Sequence, residues 1–483
     1  MATTDQQATG SVLSQLLEQG KVSPEQRDLT QKGLSSFLEK IIADNATGEK
    51  ISSKLIDTML NDIDQKISGQ MDEVLHNPDF QKLESAWRGL DFLLKRTNMH
   101  ENIKVNLLYA TKDELQEDLE DAPSITESGM YKTIYTSEYG QFGGQPYGVI
   151  VGAYEFGPSS SDINLLREMG TISTMSFAPF IGGTSSKFFN LKDWRGLSDL
   201  KDIGSILEMP QYGKWNDFRQ SDVARNVGLV LPRFLARTPY GPETEPVKGF
   251  NYTETMKEET DYLWSNAVYA LAARINDSFA NYRWSANIVG PQSGGKVEGL
   301  PSYSYDAMGQ IETKIPTETL ISERREYELA EHGFIPLTMR KNGGDAVFFS
   351  ANSAQAAKVF PDTAEGKAAE LNFRLGTQLP YMFLVTRLAH YIKVIQRENL
   401  GSWKTKGDVE RELNIWLSQY VVDMANPVGE VRSRKPFRAA EVVVDDVPGE
   451  AGWYRCSLSV SPHFKYMGAN FTLSLVGKLE KAS

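Results

Sequence analysis

Residues 290–297 read Gly-Pro-Gln-Ser-Gly-Gly-Lys-Val, with glycines and a lysine spaced as in a loop that cradles phosphate. Two features oppose that chemistry. Val297 stands where such a loop needs a hydroxyl for magnesium, and Gly299 and Pro301 follow where a helix should begin. The sequence therefore favours a flexible glycine loop, with a nucleotide-binding enzyme using Gly290 to Lys296 as the alternative. A second Gly/Ser stretch, Ile181 to Lys187, reads as a connection between packed elements. No G-x-S-x-G nucleophile elbow occurs. His76, His100, His332, His390 and His463 are scattered without metal-ligand spacing, and His390 falls on the polar side of its helix, where it is expected to be solvated or hydrogen-bonded. The expectation is a protein without catalytic residues, cofactor or metal.

Bulk properties narrow the alternatives. The net charge of -12 argues against neutralising nucleic-acid phosphates. Cys456 is the single cysteine, which excludes an internal disulfide and fits a reducing compartment; among strand-like residues it reads as a buried small hydrophobe. No apolar run is long enough to span a bilayer: the most apolar stretch, Leu379 to Ile395, is broken by Arg387, His390 and Lys393. The N-terminus lacks a basic-then-apolar signal pattern. A cytoplasmic protein without membrane insertion is expected.

The elements form a mixed α+β chain. A short stripe (Val12, Leu13, Leu16 and Leu17) lies between a Ser11 cap and Gly20. It is too small to hold its shape alone. Three more helices follow, with stripes at Leu34 to Ile42, at Ile56 to Ile67, and at Phe80, Leu83, Trp87, Leu90 and Leu94. The middle alternates. Strands are expected at Ile103–Ala110, Tyr147–Phe156, Val227–Arg233 and Ser285–Gly290. Helices are expected at Thr111–Asp121, from Ser161 to about Met169, at Trp215–Asn226 and at Asp261–Trp284. Long loops cover Thr238–Thr255 and Gly290–Tyr305. Beyond Phe334 a hairpin, a helix through Tyr381 to Ile395 and another over Asp408–Asp423 precede three end strands: Glu441–Val444, Trp453–Val460 and Asn470–Val476. These strands read first as an ordinary antiparallel sheet covered by its own domain; the alternative is that their edges take a strand from another chain. The basic cluster Arg432, Arg434, Lys435 and Arg438 precedes them and reads equally as a solvated surface or as a contact for an acidic neighbour.

Three stretches carry a resemblance: Phe180 to Phe189, Gly333 to Leu337 and Phe373 to Pro380. They resemble the large sheath subunit of the bacterial type VI secretion system, the TssC or VipB family, and the likeness covers nearly the whole chain. The resemblance implies a structural role. It implies pairing with a small sheath subunit of the TssB/VipA type and helical polymerisation with further copies around an inner tube of hexameric rings. It also implies contraction from an envelope-anchored baseplate. It implies that Val442, Val443, Val444, Leu458, Val460, Phe471, Leu473 and Leu475 pair strands between subunits, in a phage-tail-sheath-like domain completed by partner strands. It implies that Val12, Leu13, Leu16, Leu17 and Glu18 form the helix bound by a AAA+ unfoldase of the ClpV type. The basic cluster would then meet the tube or a neighbour. The expected division is residues 1–50, a tail with the unfoldase helix; 51–330, a mixed α/β region; and 331–483, the inner sheath core. A sheath of another contractile injection machine is the alternative.

Overall fold

Of five apolar runs, Ile150–Phe156, Phe180–Thr184, Val227–Leu231, Phe334–Met339 and Ala346–Phe348, the last four are almost wholly buried, and the first is buried at Gly152 and Phe156. Strands read this way when a sheet is covered on both faces. In the computed structural model they are β1, β2, β3, β5 and β6, and with β4 (Lys296–Val297) they form one sheet in the order β1-β2-β3-β5-β6-β4. The first four run parallel; β6 pairs antiparallel with β5 and β4. The structure describes residues 27–44, 53–307, 309–339, 344–399, 401, 404–424, 427–447, 454–463 and 471–475.

Side-chain alternation sorts the strands' residues into two cores. Phe180, Leu229 and Phe334 join Phe188, Phe189, Trp194, Trp215 and Phe218 on one face. Ile181, Val230 and Ile335 join Leu271, Phe348, Leu379 and Phe383 on the other. Gly228 sits where a Cβ would come within 2.6 Å of Leu379 Cδ1, so a larger residue there would push the Leu379 helix off the sheet.

The helices of this unit, which comprises His76–Thr238 and Lys257–Ser483, start where their caps dictate. Asn77 accepts from the backbone N–H groups of Asp79 and Phe80 at the start of α3 (Pro78–Lys95). Thr111 and Glu114 form a reciprocal capping box on α4 (Lys112–Asp121). α5 (Ser160–Ser176) runs well past the expected end at Met169. α6 (Gly213–Gln220) gives way to a 3-10 turn at Asp222–Asn226. α7 is confined to Val268–Tyr282. Its expected beginning, from Asp261, is taken by a 3-10 turn and by Trp264–Ser265, which pairs antiparallel with Phe234–Leu235. Residues 285–290 are turns and coil rather than a strand. Ile103–Ala110, expected as a strand, has no regular secondary structure and joins no sheet. α8 (Glu323–Glu331), α9 (Ala364–Gly376), α10 (Leu379–Glu398), α11 (Lys406–Ser418) and α12 (Gly429–Arg434) complete the helices beyond the sheet's centre. α11 starts and ends before the bounds expected for it.

His390 on α10 is only 3% exposed, so of the two environments expected for it, solvent or a hydrogen bond, the fold supplies the hydrogen bond. Its Nε2 lies 2.9 Å from the Ser176 carbonyl oxygen, and the rings of Tyr139 and Phe177 flank it. The α10 face that is polar by helical period is covered by the end of α5 and by residues around Tyr139.

The other unit comprises Met1–Leu75 and Pro239–Met256. Its described helices are α1 (Arg27–Asp44) and α2 (Ser53–Leu75). The excursion 239–256 clamps α2: Tyr252 OH donates to Asp72 at 2.7 Å and Asn251 Nδ2 to Asp64 at 3.1 Å. Within it the backbone N–H groups of Tyr240 and Glu254 donate to the Glu254 carboxylate and the Tyr240 carbonyl. The stripe Leu60, Ile63, Ile67, Met71 and Val74 on α2 faces solvent. No helix among the described residues is long and apolar enough to cross a membrane.

Candidate functional site

The carboxyl ends of parallel strands are where open sheets usually bind small ligands. Here ion pairs occupy that position. Arg233, just after β3, makes a two-pronged contact with Glu318, both bonds at 2.8 Å. Lys112 bonds Asp162 at 2.7 Å and reaches the Glu155 carbonyl at the end of β1. Burial raises the Glu155 carboxyl above its usual range, with Arg233 opposing that shift.

The glycine loop is equally committed. Lys296 begins β4 and pairs with Glu298 at 2.7 Å and Asp345 at 2.9 Å. Gly290 N–H donates to the Phe348 carbonyl and Gly295 N–H to that of Gly290, so the loop closes on the sheet edge. The lysine is spent on two carboxylates, and no helix N-terminus follows to receive a phosphate. Equilibrium dialysis with ATP and magnesium is expected to show the same negligible binding for the native chain and for Lys296→Ala. Among the described residues no group of three or more His, Cys, Asp and Glu is placed to hold a metal ion.

The end strands make a different kind of site. β7 (Phe437–Asp446), β8 (Tyr454–Pro462) and β9 (Phe471–Leu475) form an antiparallel sheet in chain order. Val442 faces Leu458, Val444 faces Cys456, and Ala440 faces Val460. Leu458 in turn faces Leu473, Val460 faces Phe471, and Cys456 faces Leu475. Period-two alternation puts Val442, Val444, Cys456, Leu458 and Val460 on one buried face, while Val443 points to solvent. That face packs on Leu384, Val385, Leu388 and Ile392 of α10 and on Val409, Leu413 and Leu417 of α11. Burial pushes the Cys456 thiol up to about 11, so it stays an unreactive part of this core.

The outer side of β7 is engaged within the chain. Asn414 of α11 donates its amide to the Val442 carbonyl at 2.7 Å and accepts the Val442 N–H at 2.9 Å. Glu410, one turn earlier, accepts the Val444 N–H at 3.0 Å. Further along, Phe437 exchanges backbone bonds with Tyr420 and Val422. A helix thus supplies the hydrogen bonds that a neighbouring strand would. Asn414 and Glu410 were not singled out by sequence reasoning, because an i,i+4 polar pair reads as a solvated helix face. Asn414→Ala leaves the Val442 backbone groups without that partner, and a loss of about 1–3 kcal/mol in a denaturant titration is expected.

Such a sheet, sealed along one edge by a helix and built on a two-helix platform, is suited to holding polypeptide rather than a small substrate. Residues 57–355 match the family described as EvpB/VC_A0108, tail sheath N-terminal domain, and residues 368–479 match its tail sheath gpW/gp25-like domain. The chain is 38% identical, across 99% of its own length and 97% of the relative's, to the type VI secretion system sheath protein TssC1 of Pseudomonas aeruginosa. The chain belongs to the type VI secretion tail sheath family. The gpW/gp25-like match encloses α10, α11, the three-stranded sheet and the basic cluster. Within that cluster Arg434, Lys435 and Arg438 are exposed, Arg432 is half-buried, and Arg434 lies 3.6 Å from Glu430. The α+β class expected from the sequence is the class observed. The helix expected at Val12, Leu13, Leu16, Leu17 and Glu18 lies outside the described residues.

Proposed function

We propose that this chain is the large subunit of a contractile sheath. It pairs with a small sheath subunit, polymerises into a helical tube around an inner tube of hexameric rings, and contracts on a baseplate to drive secretion. The observation that carries this reading is the C-terminal ladder. The outward backbone groups of Val442 and Val444 are bonded to α11, so an incoming strand joins the ladder from the β9 side, along Phe471, Leu473 and Leu475. Strands shared in this way tether neighbouring subunits while the bodies carrying them rotate. The exposed cations Arg434, Lys435 and Arg438, with Arg432, suit an acidic neighbour, another copy of this acidic chain or the inner tube.

The stripe Val12, Leu13, Leu16 and Leu17, with Glu18 beside it, serves as the helix-in-groove ligand of a AAA+ unfoldase, hidden in the extended lattice and exposed after contraction. Equal unfoldase binding to extended and contracted lattices would refute that gating. The main reading is tested by electron microscopy of the chain expressed alone and together with the small sheath subunit. Hollow tubules appearing only on co-expression support it; a well-behaved monomer that ignores the small subunit overturns it.

A further inference from the structure

Ile103 to Ala110 is a strand-forming sequence to which the fold gives no regular secondary structure and no ladder. Among the described residues, no backbone N–H or C=O group from Ile103 to Tyr109 has a hydrogen-bond partner. The segment instead runs beside the residues that lead into and form β1, an edge strand of the main sheet, and side chains alone bridge the two. Lys104 Nζ donates to Gln145 Oε1 at 2.6 Å, Asn106 Nδ2 to Tyr147 OH at 3.0 Å, and Tyr154 OH to the Ala110 carbonyl at 2.5 Å. The three bridges occur in the same order along both stretches, so the two run parallel. Beyond them Leu107 is 66% exposed, Leu108 51% and Tyr109 94%.

A row of unpaired backbone groups specifies its own occupant, because only another extended backbone offers donors and acceptors at that repeat. Three adjacent large apolar side chains add the surface such an occupant would cover. Charge then selects the chain. α4 begins directly after the segment and exposes Asp113, Glu114, Glu117, Glu120 and Asp121. A second copy would bring the same acidic helix and a net charge of -12. A strand followed or preceded by lysines and arginines meets α4 with opposite charge.

We propose that Ile103–Ala110 is a docking strand completed by a basic-flanked β-strand of a second, different chain. On the sheath reading, on which this inference rests, that chain is the small sheath subunit. The contact is separate from the C-terminal ladder.

The test is hydrogen–deuterium exchange on the full-length chain co-purified with the small sheath subunit, compared with the chain alone. Amides within 103–110 are expected to exchange about tenfold or more slowly in the complex. A proline scan adds parity. Of Leu107→Pro and Leu108→Pro, one removes an N–H that faces the partner and weakens co-purification about tenfold, and the other removes one facing away and does not. Glu117→Lys is expected to weaken the complex most at low salt. A complex that forms while 103–110 exchanges freely, or that is indifferent to both prolines, overturns this inference and leaves the sheath reading standing. Concentration-dependent protection in the chain alone assigns the strand to a second copy and overturns it as well. Absence of any complex with the native chain fails the sheath reading itself.

Discussion

Phe334→Ala is expected to cost about 3–5 kcal/mol of folding stability, the range for emptying a buried phenylalanine site. Phe334 opens β5, is fully buried, and touches three aromatic rings: Phe188 at 5.2 Å, Phe189 at 5.1 Å and Trp215 at 5.7 Å between centroids. Phe188 and Phe189 lie on one 3-10 turn and Trp215 on α6, so the cavity cannot collapse by the shift of one helix. Each aromatic pair also contributes roughly 0.5–1.5 kcal/mol beyond its buried area. A domain with a total stability of about 5–15 kcal/mol survives this loss only marginally. The apparent melting temperature should fall by roughly 5 °C or more, and the soluble fraction at 37 °C should drop. Phe334→Leu keeps most of the volume and should lose less than half as much. Equal losses for the two variants would show that volume is not what this position supplies.

Acid should destabilise the fold through His390. Burial, with Arg387 and Lys393 adding like charge, pushes its imidazole from about 6.5 down to about 4, against the favourable bond to the Ser176 carbonyl. Tyr139 and Phe177 contribute ring faces, and no carboxylate accompanies them in these contacts. The neutral form is the one the fold holds. The contribution is therefore complete above the unfolded pKa near 6.5, is lost as pH falls toward 4, and is constant below that. A shift of this size corresponds to about 3 kcal/mol. The comparison that isolates it is the native chain against His390→Gln. The stability difference between them should shrink by about 3 kcal/mol between pH 7 and pH 4. A difference that stays constant over that range would mean that His390 is charged, or solvated, in the fold.

Local chemistry was readable wherever it was self-contained. The caps at Asn77 and Thr111, the hairpin strand at Phe334, the buried Cys456 and the three end strands all follow from residue type and spacing. The misses share one cause: long-range partners outweighed local pattern. Asp261 to Ala267 carries helical periodicity, yet Trp264 and Ser265 are worth more as the partners of Leu235 and Phe234. Ser285 to Gly290 looks like a strand. Instead the chain there is pinned by Ser278, which donates to the Trp284 carbonyl and accepts the Asn287 N–H. His390 sits on the polar side of an isolated helix, and what covers that side lies more than 200 residues earlier in the chain. The edge contacts of Asn414 and Glu410 could not be anticipated, because nothing in a helix's own sequence says that its polar face will meet a strand. Ile103 to Ala110 is the reverse case: its residues are strand-forming, yet no ladder among the described residues makes them a strand.

The clamp on α2 imposes an order on synthesis. Asp72 and the Tyr252 that holds it are separated by 180 residues. At roughly 5–20 residues per second, the ribosome takes about 10–35 s to travel from one to the other. For that interval the helix is finished but its fastening does not exist; the stripe Leu60, Ile63, Ile67, Met71 and Val74 is open to solvent then as it is in the finished fold, and the helix that carries it is held at neither Asp64 nor Asp72. A holdase chaperone has its opportunity there, and slowing translation between codons 75 and 256 should lengthen its occupancy in proportion.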